Sequence, residues 1–157
     1  MKLINNLQKK IGFPLVVKPL NEGSSVNVFI CNKNNILKTL AKLNEYGEVL
    51  LEKYIPGREI QVAILENKVL GAIELRPTRK FYDYQAKYNP KARTEHIIPV
   101  EISKNKYQEL TKIALKAHKI LNCRGVTRSD FRYYKNSFYL LETNTQPGMT
   151  SLSLVPE

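Results

Sequence analysis

Apolar residues recur along the chain with two different periods. They come in short runs at Phe13 to Lys18, Val26 to Ile30, Val49 to Lys53, Glu59 to Leu65, Val69 to Arg76, Gly125 to Tyr134 and Phe138 to Asn144. Gly, Pro, Asn or Ser residues bound these runs, which predicts strands. Glu66-Asn67-Lys68 reads as a hairpin turn between two of them. In two other stretches the spacing lengthens to that of a helix. Asn34 to Glu45 sets Ile36, Leu37, Leu40 and Leu43 on one face and stops at Gly47. Ser103 to Leu121 sets Tyr107, Leu110, Ile113, Ala114, Ala117, Ile120 and Leu121 in one stripe, with Ser103 as N-cap. The order β-β-α-β-β-β-α-β-β does not alternate strictly. It predicts an α+β fold with largely antiparallel sheets, in two small lobes over 1–50 and 51–157 with a ligand between them.

Thr78 to Arg93 has no clean period and is crowded with Tyr and Lys. A connection that long inside a compact domain points to function. The 157 residues are 43% hydrophobic, enough for a core, and no apolar run approaches the length of a membrane span. The basic start, Met1 to Lys10, lacks the apolar stretch of a secretory signal. Cys31 and Cys123 form no CxxC, as expected of reduced thiols in a cytoplasmic protein. The net charge of +11 would suit a polyanion, but Lys and Arg are spread along the whole chain and interleaved with Asp and Glu. That pattern fits a phosphate-bearing small ligand as well as it fits nucleic acid.

The chemistry gathers at the end. Asp130 lies on one strand of the last hairpin, and Glu142 and Asn144 lie on the other. Opposed residues of an antiparallel pair share a face. A three-residue loop at Lys135-Asn136-Ser137 would pair Asp130 with Glu142 and Arg128 with Asn144. A two-residue loop would slip the register by one position and separate the carboxylates. In the first register two carboxylates and an amide oxygen converge beside an arginine, a hard-oxygen set suited to Mg²⁺ shared with phosphates.

Leu140-Leu141-Glu142-Thr143-Asn144-Thr145-Gln146-Pro147-Gly148-Met149-Thr150-Ser151 is similar to the strand end and following loop of D-alanine:D-alanine ligases, members of the ATP-grasp superfamily. The resemblance extends from about Gly12 to Glu157. Phe13 to Pro19 followed by Glu22-Gly23-Ser24-Ser25-Val26 resembles the family's phosphate-covering loop. Glu52-Lys53-Tyr54-Ile55 resembles the hinge that reads adenine, and Glu59 the acid that binds ribose. Phe81 to Tyr88 resembles the active-site lid.

The resemblance implies an ATP-grasp fold and ATP-dependent joining of two D-alanine molecules through an acyl phosphate, for peptidoglycan synthesis. It implies that Lys18, Glu22, Gly23, Ser24 and Ser25 serve the ATP phosphates, that Lys87 reaches the γ-phosphate, and that Tyr88 closes over the acceptor site. It implies two Mg²⁺ or Mn²⁺ ions on Asp130, Glu142 and Asn144, and Arg128 on the transferring phosphoryl group. The Gly148 N–H becomes an oxyanion donor, and Ser153 binds the acceptor carboxylate. Ser24 and Tyr88 also belong to a hydrogen-bonded set with a glutamate of the family's N-terminal domain. Family members are about twice this length and dimeric, which implies a separately placed N-terminal domain as partner. Three readings follow: a ligase or half of a split one, an ATP-binding remnant without activity, and a basic nucleic-acid-binding module with its cations on one face. No membrane partner is expected.

Overall fold

The computed structural model describes residues 2–77, 94–149 and 153–155. Of these, residues up to Tyr54 form one compact unit and those from Ile55 onward a second.

The first unit is a three-stranded antiparallel sheet with helices. Helix α1 (Lys2–Lys10) precedes strand β1 (Leu15–Pro19), β2 (Phe29–Cys31), helix α2 (Ile36–Lys42), a 3₁₀ turn (Asn44–Tyr46) and β3 (Val49–Lys53). The strand order is β2-β1-β3. Leu15 and Val17 alternate into a core with Cys31, Ile36 and Leu43. Helix α1 was not expected from the sequence. Its Ile4 and Leu7, with Ile11 beyond it, recur at helical spacing and pack against that core.

Two elements are shorter than expected. β2 begins at Phe29 and not at Val26, because Ser24, Ser25 and Asn27 take φ of 52°, 60° and 52°, left-handed values that no strand accommodates. α2 ends at Lys42, and Leu37 is exposed, so its buried side is carried by Ile36 and Thr39.

The second unit is a five-stranded antiparallel sheet in the order β6-β5-β4-β7-β8. Its strands are β4 (Arg58–Leu65), β5 (Lys68–Pro77), β6 (Thr94–Ile97), β7 (Val126–Tyr134) and β8 (Ser137–Asn144), with helix α3 (Lys104–Ile120) between β6 and β7. One sheet face packs on α3 around Ile60, Val62, Ile64, Leu110, Ala114 and Phe131, all inaccessible to solvent. Burial of each large member contributes about 1.5–3 kcal/mol. The Ser103 hydroxyl caps α3 by accepting from the Lys106 N–H at 3.4 Å. The buried stripe runs Leu110, Ala114, His118, in steps of four. It ends sooner than expected: Ile120 and Leu121 are 68% and 55% exposed. His118 takes the place expected of an apolar residue and bonds through Nδ1 to the Thr127 hydroxyl of β7 at 2.8 Å. This fixes the helix end to the sheet. The alternate positions of β4 and β7 point to the opposite face, and these carry Glu59, Gln61, Arg128, Asp130 and Arg132.

On the α3 side of the sheet, Glu74 is buried at 1% exposure. Arg58 binds it with Nε to Oε1 at 2.8 Å and a further bond from Nη2 to Oε2. Arg76 binds it with Nε and Nη2 at 3.0 and 3.1 Å, and reaches Glu101 at 2.8 Å. Burial alone would raise the Glu74 carboxyl, but hydrogen bonds and charge from Arg58 and Arg76 outweigh it and hold the group below its ordinary value.

Candidate functional site

The hairpin β7–β8 delivers the expected pairing by a different route. Its turn has two residues, Lys135 and Asn136, with φ of 46° and 63°, between the paired Tyr134 and Ser137. Two successive left-handed residues are what a tight hairpin turn demands. The three-residue loop expected from the sequence is therefore absent. From that turn the ladder runs through Phe131 opposite Leu140, then shifts, and Asp130 faces Glu142 and Arg128 faces Asn144. Leu141 is the extra residue of a β-bulge, which adds back the position the short turn removes. Lys106 holds the turn against α3 by donating to the Asn136 carbonyl at 2.7 Å.

Asp130 is 6% exposed. Arg128 grips it from two positions away, Nε to Oδ1 at 2.8 Å and Nη2 to Oδ2 at 3.0 Å. The fork geometry of guanidinium and carboxylate makes this the strong form of the pair. Glu142 is exposed on the neighbouring strand. The Asn144 side-chain oxygen accepts from the Gln146 N–H at 3.0 Å, shaping the turn into Pro147 and Gly148. Gly148 lies so close to Ser153 that a Cβ on it would stand 2.7 Å from the Ser153 hydroxyl oxygen. Ser153 and Gly148, expected to serve different parts of the reaction, are thus neighbours.

Elsewhere on this face, Glu59 pairs with Arg132 at 3.0 Å. Arg132 also donates to the Gly57 carbonyl at 3.2 Å. Gly57 has φ of 106°, and a Cβ there would meet the Tyr133 carbonyl oxygen at 2.3 Å, so only glycine fits. Neither Arg132 nor Gln61 was singled out from the sequence. The signal for both was present: each is a polar residue two positions along its strand from a candidate, and so on the same face.

In the first unit, Lys18 makes an ion pair with Glu52 at 2.8 Å. They are diagonal neighbours, since Lys18 opposes Leu50 and Val16 opposes Glu52. The Tyr54 N–H donates to the Pro14 carbonyl at 3.3 Å, beside Lys53 and Ile55 of the expected hinge. Glu22 and Gly23 precede the left-handed Ser24 and Ser25, and the Val26 N–H closes the turn onto the Gly23 carbonyl at 3.0 Å. Lys87 and Tyr88 lie outside the described residues.

Asp130, Glu142 and Asn144 form a donor set of hard oxygens at adjoining register positions of one hairpin. Among the described residues no three His, Cys, Asp and Glu side chains cluster, so the set is two carboxylates and an amide. That composition fits Mg²⁺ or Mn²⁺ completed by phosphate oxygens, and not a soft-metal cage.

Two antiparallel α+β units and a carboxylate hairpin of this kind define an ATP-grasp protein. A crystal structure of D-alanine–D-alanine ligase from Bacillus anthracis superposes with a TM-score of 0.82 at 39% identity, over 97% of this chain and 50% of that one. The same ligase complexed with ATP gives a TM-score of 0.78 at 36% identity, over 97% of this chain and 49% of that one. The D-alanine–D-alanine ligase of Pelagibacter ubique (strain HTCC1062) is 63% identical over 157 residues, 100% of this chain and 52% of that protein. The family described as D-ala D-ala ligase C-terminus matches residues 1–157. The chain belongs to that family. It spans about half the length of the curated relatives it matches. Among the described residues no helix is long and apolar enough to cross a membrane.

Proposed function

We propose that the chain carries the nucleotide and metal functions of an ATP-dependent D-alanine:D-alanine ligase, working in the cytoplasm on peptidoglycan precursors. The observation that carries this reading is the register that sets Asp130 against Glu142 and Arg128 against Asn144. A carboxylate oxygen of the first D-alanine attacks the γ-phosphorus of ATP, the bond from that phosphorus to the ADP oxygen breaks, and an acyl phosphate forms. The amine of the second D-alanine attacks the acyl carbon and loses a proton, and inorganic phosphate leaves with the carbon–oxygen bond electrons. Both steps concentrate negative charge, so positioning and electrostatics carry the catalysis.

Arg128 serves the transferring phosphoryl group from its place on β7. Lys18 and the turn at Glu22 to Ser25 serve the other phosphates, and the backbone of Glu52 to Ile55 reads the adenine edge. Glu59 takes the ribose hydroxyls. The Gly148 N–H donates to the developing oxyanion, and Ser153, adjacent to it, binds the acceptor carboxylate. Lys87 and Tyr88 complete the γ-phosphate and acceptor contacts. Asp130, Glu142 and Asn144 would hold two Mg²⁺ or Mn²⁺ ions, which would supply Lewis-acid stabilisation of phosphate charge. The first D-alanine site is completed by sequence of the kind that makes up the relatives' other half.

Calorimetric titration of the chain with ATP at millimolar concentration, with and without Mg²⁺, tests the reading. Mg²⁺-dependent binding is expected, and no heat of binding refutes the nucleotide site. Phosphate release from ATP with D-alanine then separates ligation from nucleotide binding alone.

A further inference from the structure

Gln61 sits mid-strand in β4, between Ile73 of β5 and Asp130 of β7, and is 2% exposed. Its side-chain Nε2 donates to Asp130 Oδ2 at 3.4 Å. Its Oε1 is buried and, among the described residues, has no partner. The amide cannot turn over to relieve this, because an ionised carboxylate only accepts and would then face a carbonyl oxygen. A buried acceptor left unmade is costly, whereas an apolar side chain of the same shape avoids the cost. Packing alone therefore favours methionine or leucine at this position. A residue that works against packing at a candidate site points to function.

Resting on the metal-site reading above, we infer that Gln61 is a positioning residue that fixes the Asp130 carboxylate for the cation. Among the described residues Asp130 has two donors, and they differ in kind. Arg128 brings a full positive charge and opposes a cation at the same carboxylate. It also lines a cavity of about 260 Å³ with Gln61, Ile73, Leu154 and Val155, so it has room to leave Asp130 for a phosphoryl group. Gln61 is neutral and held within the sheet. Once Arg128 turns away, Gln61 still holds Oδ2 and the plane of the carboxylate, without cancelling its charge and with Oδ1 left open. Neutral donors of this kind behind metal-binding carboxylates set ligand orientation and affinity.

The test separates positioning from stability. Gln61→Met and Gln61→Leu are compared with wild type by thermal denaturation without metal, and by Mn²⁺ titration in the presence of ATP, followed by the electron paramagnetic resonance signal of free Mn²⁺. The expected result is a Tm equal to or above that of wild type in at least one variant, with Mn²⁺ affinity lower by roughly 10–100-fold. Mn²⁺ affinity equal to wild type in a folded variant overturns the role of Gln61 and leaves the metal site standing. A lowered Tm in both variants overturns it as well, since Gln61 would then be structural. Wild-type chain that takes up no Mn²⁺ with ATP overturns the metal site itself, and the role of Gln61 with it.

Discussion

Replacing Glu74 with glutamine isolates the charge that ties β5 to β4. Glutamine keeps the volume but replaces one acceptor oxygen with an NH2 group, so one bond from each of Arg58 and Arg76 is lost. Removing one partner of a fully buried ion pair costs about 3–5 kcal/mol. Here the two arginine side chains are 32% and 43% exposed, so water can rehydrate them. That screening reduces the expected loss to about 2 kcal/mol. In a chain of this size such a loss lowers Tm by roughly 4–8 °C at neutral pH. The pH dependence has a definite sign. Glu74 is held below its ordinary value of 4.5 in the folded chain, so its contribution is complete above that pH. It is lost as the pH falls through the folded value. Calorimetric scans of wild type and Glu74→Gln from pH 7 to pH 3 should show the Tm gap narrowing at the acid end. A gap that stays constant over that range, or a neutral-pH difference below about 0.5 kcal/mol, refutes the argument.

Two further predictions concern the hairpin. Glu142→Gln, an exposed isosteric change, should leave Tm within about 2 °C of wild type while weakening Mg²⁺-dependent ATP binding by roughly tenfold or more in calorimetry. Deleting Leu141 removes the bulge but not the pairing, so Mn²⁺ affinity with ATP should stay within about threefold of wild type. Deleting Leu140 and Leu141 together slips the register by one and should abolish it.

Much of the fold is legible in the sequence because strands and helices announce themselves by period. The alternation of Ile60, Val62 and Ile64 against Glu59, Gln61 and Ala63 separates a core face from a site face by residue type alone. Helix α1 is legible in the same way from Ile4, Leu7 and Ile11, although Lys2, Lys9 and Lys10 dominate its composition and mask the stripe. β6 is not legible. Thr94-Glu95-His96-Ile97 is a short edge strand with no alternation, held by pairing to β5. The hairpin is the instructive case. Parity counted from the turn predicts the pairing only if the ladder is regular, and here a short turn and a bulge offset each other. A bulge is set by twist across strands, which local sequence does not encode. The pairing of Lys18 with Glu52, two residues expected to serve different parts of the nucleotide, likewise depends on a register between distant strands.

The second unit places carboxylates on both faces of one sheet and treats them in opposite ways. Glu74 faces α3 and receives two guanidinium groups, with Glu101 completing a set of two cations and two anions. Nothing is left for a ligand to neutralise. On the other face Glu59 pairs with Arg132. Asp130 and Glu142 stand opposed across the hairpin, and among the described residues the cation placed beside them is Arg128, bound to Asp130. Among the described residues, two like charges opposed in register beside one arginine leave a deficit of positive charge. The chain as a whole carries +11, so this deficit is local and is not a shortage of basic residues. On the proposed reading, this is where a divalent cation would be held by charge as well as by geometry. On the same reading, a bound cation would free Arg128 from Asp130 for a phosphoryl group.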